Sequence, residues 1–258
     1  MNKSNLKTII SDSIAIISMS RSPVNALSTA FLKDIKKEFE VLEENNNIRI
    51  IILKSDLNNF SAGADLKQRS IMDSKESINA LNTFRECFKT IENSSKITIC
   101  CINGYCLGGG AEMALCFDFR LCSDDVIVGF PEVGIGIIPG AGGTQRLPRV
   151  IGYSNAKYWI YTAARFNGIE CLQYGFANEV HKTRELCKKA IILANTIIQN
   201  SPIGTICAKK AIDSGFYYTT EEGLDIERVQ YNIAVNTEDR KEALDAFAKK
   251  RKPKWRNK

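Results

Sequence analysis

The sequence predicts an α/β core followed by a helical C-terminal region, and three observations carry that expectation. Residues 48–54 and 97–102 are short, β-branched apolar runs with the unbroken hydrophobicity of strands buried on both faces. A stretch around residues 76–92 with helical periodicity separates them, which gives a β-α-β rhythm. Beyond Gly152 the strand-like runs give way to helical stretches.

Taken in order, residues 14–19 read as a strand and residues 28–43 as an amphipathic helix. Ser28 is a good N-cap for it, and Phe31, Leu32, Ile35, Phe39 and Leu42 recur at helical spacing. A third cycle is expected as a helix from about Gly109 to Phe117, with strands near 119–122 and 126–130. The Gly and Pro cluster at 134–143 reads as a long loop. A short strand is expected at 177–180. Helices are expected at 154–162, 183–199, 202–214, 222–235 and 238–250. The expected division is a core with the active site over residues 1–192 and a helical region with a basic tail over 193–258. That second region is too small to bury Leu224, Ile226, Val229 and Ile233 alone, so packing on another subunit is expected.

With 258 residues, 44% of them hydrophobic and 25% charged, the composition is that of a globular protein. No apolar run approaches the roughly 20 residues of a membrane-spanning helix. The first eight residues have neither an apolar signal core nor an Arg-rich amphipathic pattern. The expected compartment is the cytoplasm, or the mitochondrial matrix if a leader has been removed. The nine cysteines form no Cys-x-x-Cys pair, and the single histidine is remote from them, so they read as reduced, buried thiols and no metal site is expected. The net charge of +6 belongs to the last ten residues, which hold seven Lys or Arg. The first 248 carry 28 basic against 29 acidic side chains. Such a tail reads as a solvated end, with ligand phosphates or nucleic acid as the alternatives.

The stretch Asn103-Gly-Tyr-Cys-Leu-Gly-Gly-Gly-Ala-Glu-Met-Ala-Leu, ending at Leu115, carries the most chemistry. Three glycines after a strand permit a sharp turn and leave the first N–H groups of the following helix bare. A developing oxyanion could sit there with the helix dipole behind it. The stretch lacks the Gly-Lys-Ser/Thr of a phosphate loop and the spacing of a dinucleotide fingerprint. Glu112 falls in the first turn of this helix, where a carboxylate could equally be a partner for the dipole. A second acid, Glu132, follows Pro131 at the end of a strand among Val128, Phe130, Val133 and Ile135. An apolar setting of that kind raises a carboxyl pKa toward neutrality. Ser61-Ala-Gly-Ala-Asp-Leu-Lys forms another small-residue turn, from which the Ala64 N–H could join that of Gly109 in a two-donor hole; a plain tight turn fits it as well.

Four pieces in this order, Phe60-Ser-Ala-Gly-Ala-Asp-Leu, Asn103-Gly-Tyr-Cys-Leu-Gly-Gly-Gly-Ala-Glu, Pro131-Glu and Ile138-Pro-Gly-Ala-Gly-Gly-Thr-Gln-Arg-Leu-Pro, resemble the crotonase (enoyl-CoA hydratase/isomerase) superfamily over nearly the whole chain. The resemblance implies a spiral of β-β-α repeats with a C-terminal helical oligomerisation region, assembled as a trimer or dimer of trimers. It implies a lyase of lipid and fatty acid metabolism that acts on an acyl-CoA thioester, with coenzyme A as part of the substrate and no separate cofactor. The N–H groups of Ala64 and Gly109 would bind the thioester oxygen. Glu112 would position and deprotonate water, and Glu132 would donate the proton to the α-carbon. Coenzyme A would lie along Ala62, Gly63, Asp65, Leu66 and Lys67, with Phe247 and Lys250 reaching it from a neighbouring subunit.

Phe60-Ser-Ala-Gly-Ala-Asp-Leu-Lys-Gln-Arg and the Lys-Arg-Lys-Pro ending are similar to methylglutaconyl-CoA hydratase-like members. Arg21-Ser-Pro-Val-Asn-Ala-Leu is one residue shorter than the usual hydratase motif and is similar to the isomerase and multifunctional branch. A Δ3,Δ2-enoyl-CoA isomerase is therefore the alternative enzyme, and an RNA-binding homologue is the alternative outside catalysis. His181 reads as a surface or turn residue, and without a Gly-x-Ser-x-Gly elbow a Ser-His-Asp hydrolase is not expected. Asp65 reads equally as a cap. Thr144, Gln145 and Arg146 read as supports of the loop and the start of a helix. The resemblance puts Gly140 beside Glu132, where its lack of a side chain would leave room for acyl carbons; loop flexibility is the alternative.

Overall fold

The computed structural model describes residues 5–258 as two compact units. The first runs to Ser94 and resumes over Thr98–Ile191; the second is Ser95–Ile97 with Ile192–Lys258.

The chain opens with the strands β1 (Leu6–Ser11) and β2 (Ile14–Met19), an antiparallel pair, and continues into α1 (Thr29–Glu44). The Ser28 hydroxyl accepts the N–H of Phe31 and so satisfies one of the helix's orphan donors, while the five apolar positions expected to face inward are all buried. After α1 come β3 (Ile50–Ser55), α2 (Leu66–Arg69), α3 (Ser74–Glu92) and β4 (Ile97–Ile102). Every residue of β4 is buried, as expected of a central strand covered on both faces. A capping box opens α3: Asp73 accepts the N–H of Glu76, and the Glu76 carboxylate accepts the N–H of Asp73.

Then follow β5 (Tyr105–Leu107), α4 (Gly109–Ala114), β6 (Phe119–Ser123), β7 (Ile127–Gly129) and a one-turn 3-10 helix over Pro131–Ile135. The unit continues with α5 (Gly143–Ile151), α6 (Tyr153–Tyr161), β8 (Arg165–Asn167), α7 (Gly168–Gln173) and β9 (Glu179–His181). The larger sheet has the order β1-β2-β3-β4-β6-β9, with β2/β3, β4/β6 and β6/β9 parallel. The smaller has the order β5-β7-β8.

A repeat is visible in that order. β3 is followed by the bridging residue Ser61 and then helix, β4 by β5 and α4, and β6 by β7 and the 3-10 turn. Ser61 bridges Cys106 of β5, and β5 pairs with β7, so the second member of each repeat stacks beside the next. The core packed beneath includes Phe31, Phe39, Phe88, Phe130 and Trp159. The architecture is the α/β one expected, with a central sheet and many helices. Eight of the nine cysteines are buried, and burial pushes the Cys87 thiol up to about 12, which makes it inert at neutral pH.

Several boundaries differ from the expectation. The helix expected to reach Phe117 stops at Ala114, and the loop expected to last to Gly143 contains the 3-10 turn at its start. Residues 183–185 form a 3-10 turn before the helix proper. His181 lies within the edge strand β9, where its Nε2 is 2.5 Å from Glu179. β1, β5, β8 and α7 were not anticipated.

The second unit holds most of α8 (Leu186–Ile198) together with α9 (Pro202–Gly215), α10 (Thr220–Val235) and α11 (Glu238–Ala248). Its basic tail is tied down through its backbone, while most of its residues are exposed, as expected of a solvated end. The buried Asp239 carboxylate accepts the N–H groups of Arg256 and Asn257 at 2.6 and 3.1 Å, and the Asp239 N–H donates to the Lys258 carbonyl. Arg251 forks onto Glu242 at 2.6 and 3.0 Å and also reaches Asp245, while the Trp255 indole donates to the Gln199 carbonyl. Among the described residues, no single helix is long and apolar enough to cross a membrane.

Candidate active site

The site begins where β5 turns into α4. Gly108 holds φ +50° and ψ −122°, outside the range of residues with a Cβ, and no side chain caps the helix. The N–H of Gly109, at the buried start of the helix, is left without an intrahelical acceptor. A Cβ built on Gly109 would stand 3.6 Å from the Ala64 nitrogen, and one on Gly63 would stand 3.4 Å from the Gly109 nitrogen. The two amides are thus neighbours, and among the described residues neither N–H has a hydrogen-bond acceptor. Paired free donors at a helix start suit a localised negative oxygen.

The Ala64 amide is held by the segment Arg21-Ser-Pro-Val-Asn-Ala-Leu. Leu27 bridges Ala64, with its N–H on the Gly63 carbonyl at 2.7 Å and its carbonyl receiving the Asp65 N–H at 3.1 Å. Asn25 is fully buried, and its amide donates to Ser55 Oγ and to the carbonyls of Asn59 and Phe60. On the other side, Ser61 exchanges backbone bonds of 3.0 Å with Tyr105 and Leu107, which registers the Ala64 turn against the strand leading to Gly109.

Glu112 stands one turn into α4 and is 4% exposed. Its Oε1 accepts the N–H groups of Ala141 and Gly143, both at 2.8 Å, so two backbone donors from the glycine-rich loop fix its orientation. Burial raises its pKa; those two amides and the charges of Arg146 and Arg69 oppose the rise.

Glu132 lies in the Pro131–Ile135 turn, which begins two residues after β7 ends, so it does not close a strand as expected. Pro131 takes the first helical position, where its missing N–H costs nothing. Glu132 is 8% exposed, and its Oε2 is buried with no hydrogen-bond partner among the described residues. Burial, reinforced by the charge on Glu112, pushes its pKa up to about 7. Glu132 packs directly against the glycine turn: a Cβ on Gly108 would lie 2.9 Å from its Oε1. One carboxyl oriented by two amides and another that keeps its proton near neutrality therefore flank the same glycine turn.

The remaining expected residues fall in two places. Ala62, Leu66 and Lys67 are exposed beside the buried Gly63, so this backbone edge is open to solvent. The Asp65 carboxylate is already engaged: Oδ1 caps α2 through the Lys67 and Gln68 N–H groups, and Oδ2 takes Arg21 at 2.7 Å. Burial raises its pKa, but Arg21 and the two amides prevail and the net shift is downward. Phe247, which is 85% exposed, and Lys250 belong to the second unit, at and just past the end of α11. Gly140 has no side chain to fill the space beside Leu81, whose methyl carbons would lie 3.1 and 3.2 Å from a Cβ there.

Three groups near the site leave no functional signal in the sequence. Glu92 holds Arg146 by two 2.7 Å bonds, and nothing in a separation of 54 residues signals that pair. Arg69 lies 5.4 Å from the centroid of the Phe84 ring, and Phe84 abuts Gly109: a Cβ on Gly109 would meet its Cε1 at 2.9 Å. Phe84 was legible only as a core position of a helix.

A repeating β-β-α core that brings two unoccupied amides and two buried glutamates to one glycine turn defines a protein of the crotonase class. The chain belongs to the enoyl-CoA hydratase/isomerase family, whose profile matches residues 9–258. It is 42% identical over 230 residues to the probable enoyl-CoA hydratase 2, mitochondrial, of Arabidopsis thaliana, covering 89% of this chain and 76% of that one. It is 38% identical over 237 residues to the mitochondrial methylglutaconyl-CoA hydratase of Mus musculus, covering 90% and 76%. Its fold superposes on the crystal structure of the enoyl-CoA hydratase from Bacillus anthracis with a TM-score of 0.96 at 36% identity, over 99% of this chain and 100% of that one.

Proposed function

We propose that the protein hydrates 2-enoyl-CoA thioesters, adding water across the 2,3 double bond. The observation that carries this reading is the unequal pair of acids at one oxyanion-type turn. Glu112 is oriented by two amides, and Glu132 has its pKa pushed up to about 7. Addition of water needs a base for the nucleophile and an acid for the α-carbon at the same time, and such a pair supplies both.

In this reading the thioester oxygen sits between the N–H groups of Ala64 and Gly109, which take up the negative charge that develops as the β-carbon is attacked. Glu112 removes a proton from the attacking water. Glu132 gives its proton to the α-carbon, and the enolate collapses to the 3-hydroxyacyl thioester. Coenzyme A is the handle of the substrate and lies along Ala62, Gly63, Asp65, Leu66 and Lys67. No separate cofactor takes part. Phe247 and Lys250 contact the coenzyme from a neighbouring protomer, so the active form is a trimer or dimer of trimers.

A panel of 2-enoyl-CoA substrates of increasing chain length and branching, with Glu112→Gln and Glu132→Gln assayed beside the wild type, tests this. Each substitution is expected to lower kcat by about 10³-fold while the fold is retained, in line with loss of a positioned acid or base. Wild-type hydration rates in both variants would refute the assignment.

A further inference from the structure

Glu112 does not choose its own orientation. Its Oε1 accepts from the amides of residues 141 and 143. Two carbonyls lie between those amides: that of Gly142 takes the N–H groups of Gln145 and Arg146 at the start of α5, and that of Ala141 faces the Arg146 side chain. Arg146 Nη1 donates to that carbonyl at 2.9 Å. The rest of the same guanidinium is forked onto Glu92, with Nε on Oε1 and Nη2 on Oε2, both at 2.7 Å. The chain of contacts therefore runs from the last turn of α3, through one arginine, into the peptide whose two neighbours grip the carboxylate.

Gly142 makes the arrangement possible. At φ +116° it turns the backbone so that the 141 carbonyl and the 143 N–H serve different partners, and a Cβ there would lie 2.0 Å from Arg146 Nη1. A planar bidentate pair fixes the plane of the guanidinium as well as its position, which a lysine cannot do. The Arg146 and Glu92 side chains are 17% and 37% exposed, so the clamp is set in from the surface. The Arg146 charge also opposes the rise in the Glu112 pKa.

We propose that Arg146, braced by Glu92, is a positioning residue that sets the orientation of Glu112 through the Ala141 carbonyl. This rests on the role proposed above for Glu112. Arg146 has no contact with the reacting atoms in this scheme; it holds the two-amide cradle in register. An error of about 1 Å in a positioned catalytic group can cost on the order of 100-fold in rate, which is the scale to expect.

The test uses the full-length protein with crotonyl-CoA. Arg146→Lys keeps the charge and loses the fork; Arg146→Gln loses both; Glu92→Gln weakens the brace from its more exposed end. The expected result is a fall in kcat of about 10- to 100-fold for both Arg146 variants, with KM within about twofold. A smaller fall is expected for Glu92→Gln, which also serves as the readout should an Arg146 variant fail to fold. The acid limb of the kcat–pH profile should move to higher pH in Arg146→Gln and stay in place in Arg146→Lys. In a Glu112→Gln background, Arg146→Lys should cause no further loss, because the group it positions is gone.

Losses that multiply in the Glu112→Gln background would overturn the clamp while leaving the proposed role of Glu112 standing, as would kcat within twofold of wild type in all three single variants. Full activity in Glu112→Gln alone would instead remove the reading on which the clamp rests.

Discussion

A carboxyl group that must hold a proton near neutrality and then release it to carbon needs an environment hostile to its charge, and Glu132 has one. Its Oε2 has no hydrogen-bond partner among the described residues, and Glu112 lies close enough to disfavour a second negative charge. In the forward reaction Glu132 must be protonated, so kcat/KM for hydration should fall as pH rises through about 7, and Glu132→Gln should abolish that limb along with the activity. The same shift bears on stability. Between the ordinary carboxyl range near 4.5 and the folded value near 7, the native state holds a proton that the unfolded state has released. Stability is therefore lost as pH rises across that window. Glu132→Gln removes the ionisable group, so its stability relative to the wild type should rise by about 2 to 3 kcal/mol between pH 5 and pH 8, as read from urea unfolding at the two values. A constant difference across the window would contradict the account.

The segment from Arg21 to Leu27 shows how local structure serves a distant amide. Asn25 donates to Ser55, Asn59 and Phe60 and receives the Arg21 N–H, and Leu27 bridges the Ala64 turn. Replacing Asn25 with Ala removes the side-chain donor to the Asn59 and Phe60 carbonyls and to Ser55 Oγ, and the acceptor of the Arg21 N–H. The expected cost is about 3 kcal/mol in unfolding free energy, with kcat/KM reduced more than tenfold because the Ala64 N–H loses its brace. Chemical denaturation and steady-state kinetics check the two effects separately. This function of the segment was not readable beforehand, because hydrogen bonds between residues 25 and 60 leave no periodic trace. The elements that were readable share one property, a simple burial pattern. β4 is apolar throughout because both faces are covered, and α1 and α3 carry stripes at helical spacing. β1 was missed because most of its residues, including Ile9 and Ile10, are exposed or half-buried on a sheet edge, so apolar and polar positions do not alternate. β5 and β8 are three residues long, too short for any period to register. Glu132 was legible as an acid in apolar surroundings, but its 3-10 turn was not, since Pro131 fits the close of a strand as well as the start of a helix.

The second unit exposes many large apolar residues on α9 and α10 and in the turn between them, including Phe216, Tyr218, Leu224, Val229 and Ile233. Exposed apolar surface in such number is costly in water, and a symmetric assembly would cover it. Leu224→Glu combined with Val229→Glu should convert the proposed trimer or dimer of trimers to monomer in sedimentation velocity, with retained helicity. An unchanged sedimentation coefficient would argue against this surface as the contact. At the scale of the whole molecule, the proposed function is addition of water to a thioester-conjugated double bond by two glutamates at one glycine turn. The most direct test is to turn over trans-2-hexenoyl-CoA in ¹⁸O-labelled heavy water and read the product by mass spectrometry. The account predicts a 3-hydroxyacyl-CoA carrying one ¹⁸O at C3 and one solvent deuteron at C2, formed at least about 10³-fold more slowly by Glu112→Gln and by Glu132→Gln. A product whose double bond has moved without gaining solvent oxygen, or undiminished labelling by both variants, would contradict it.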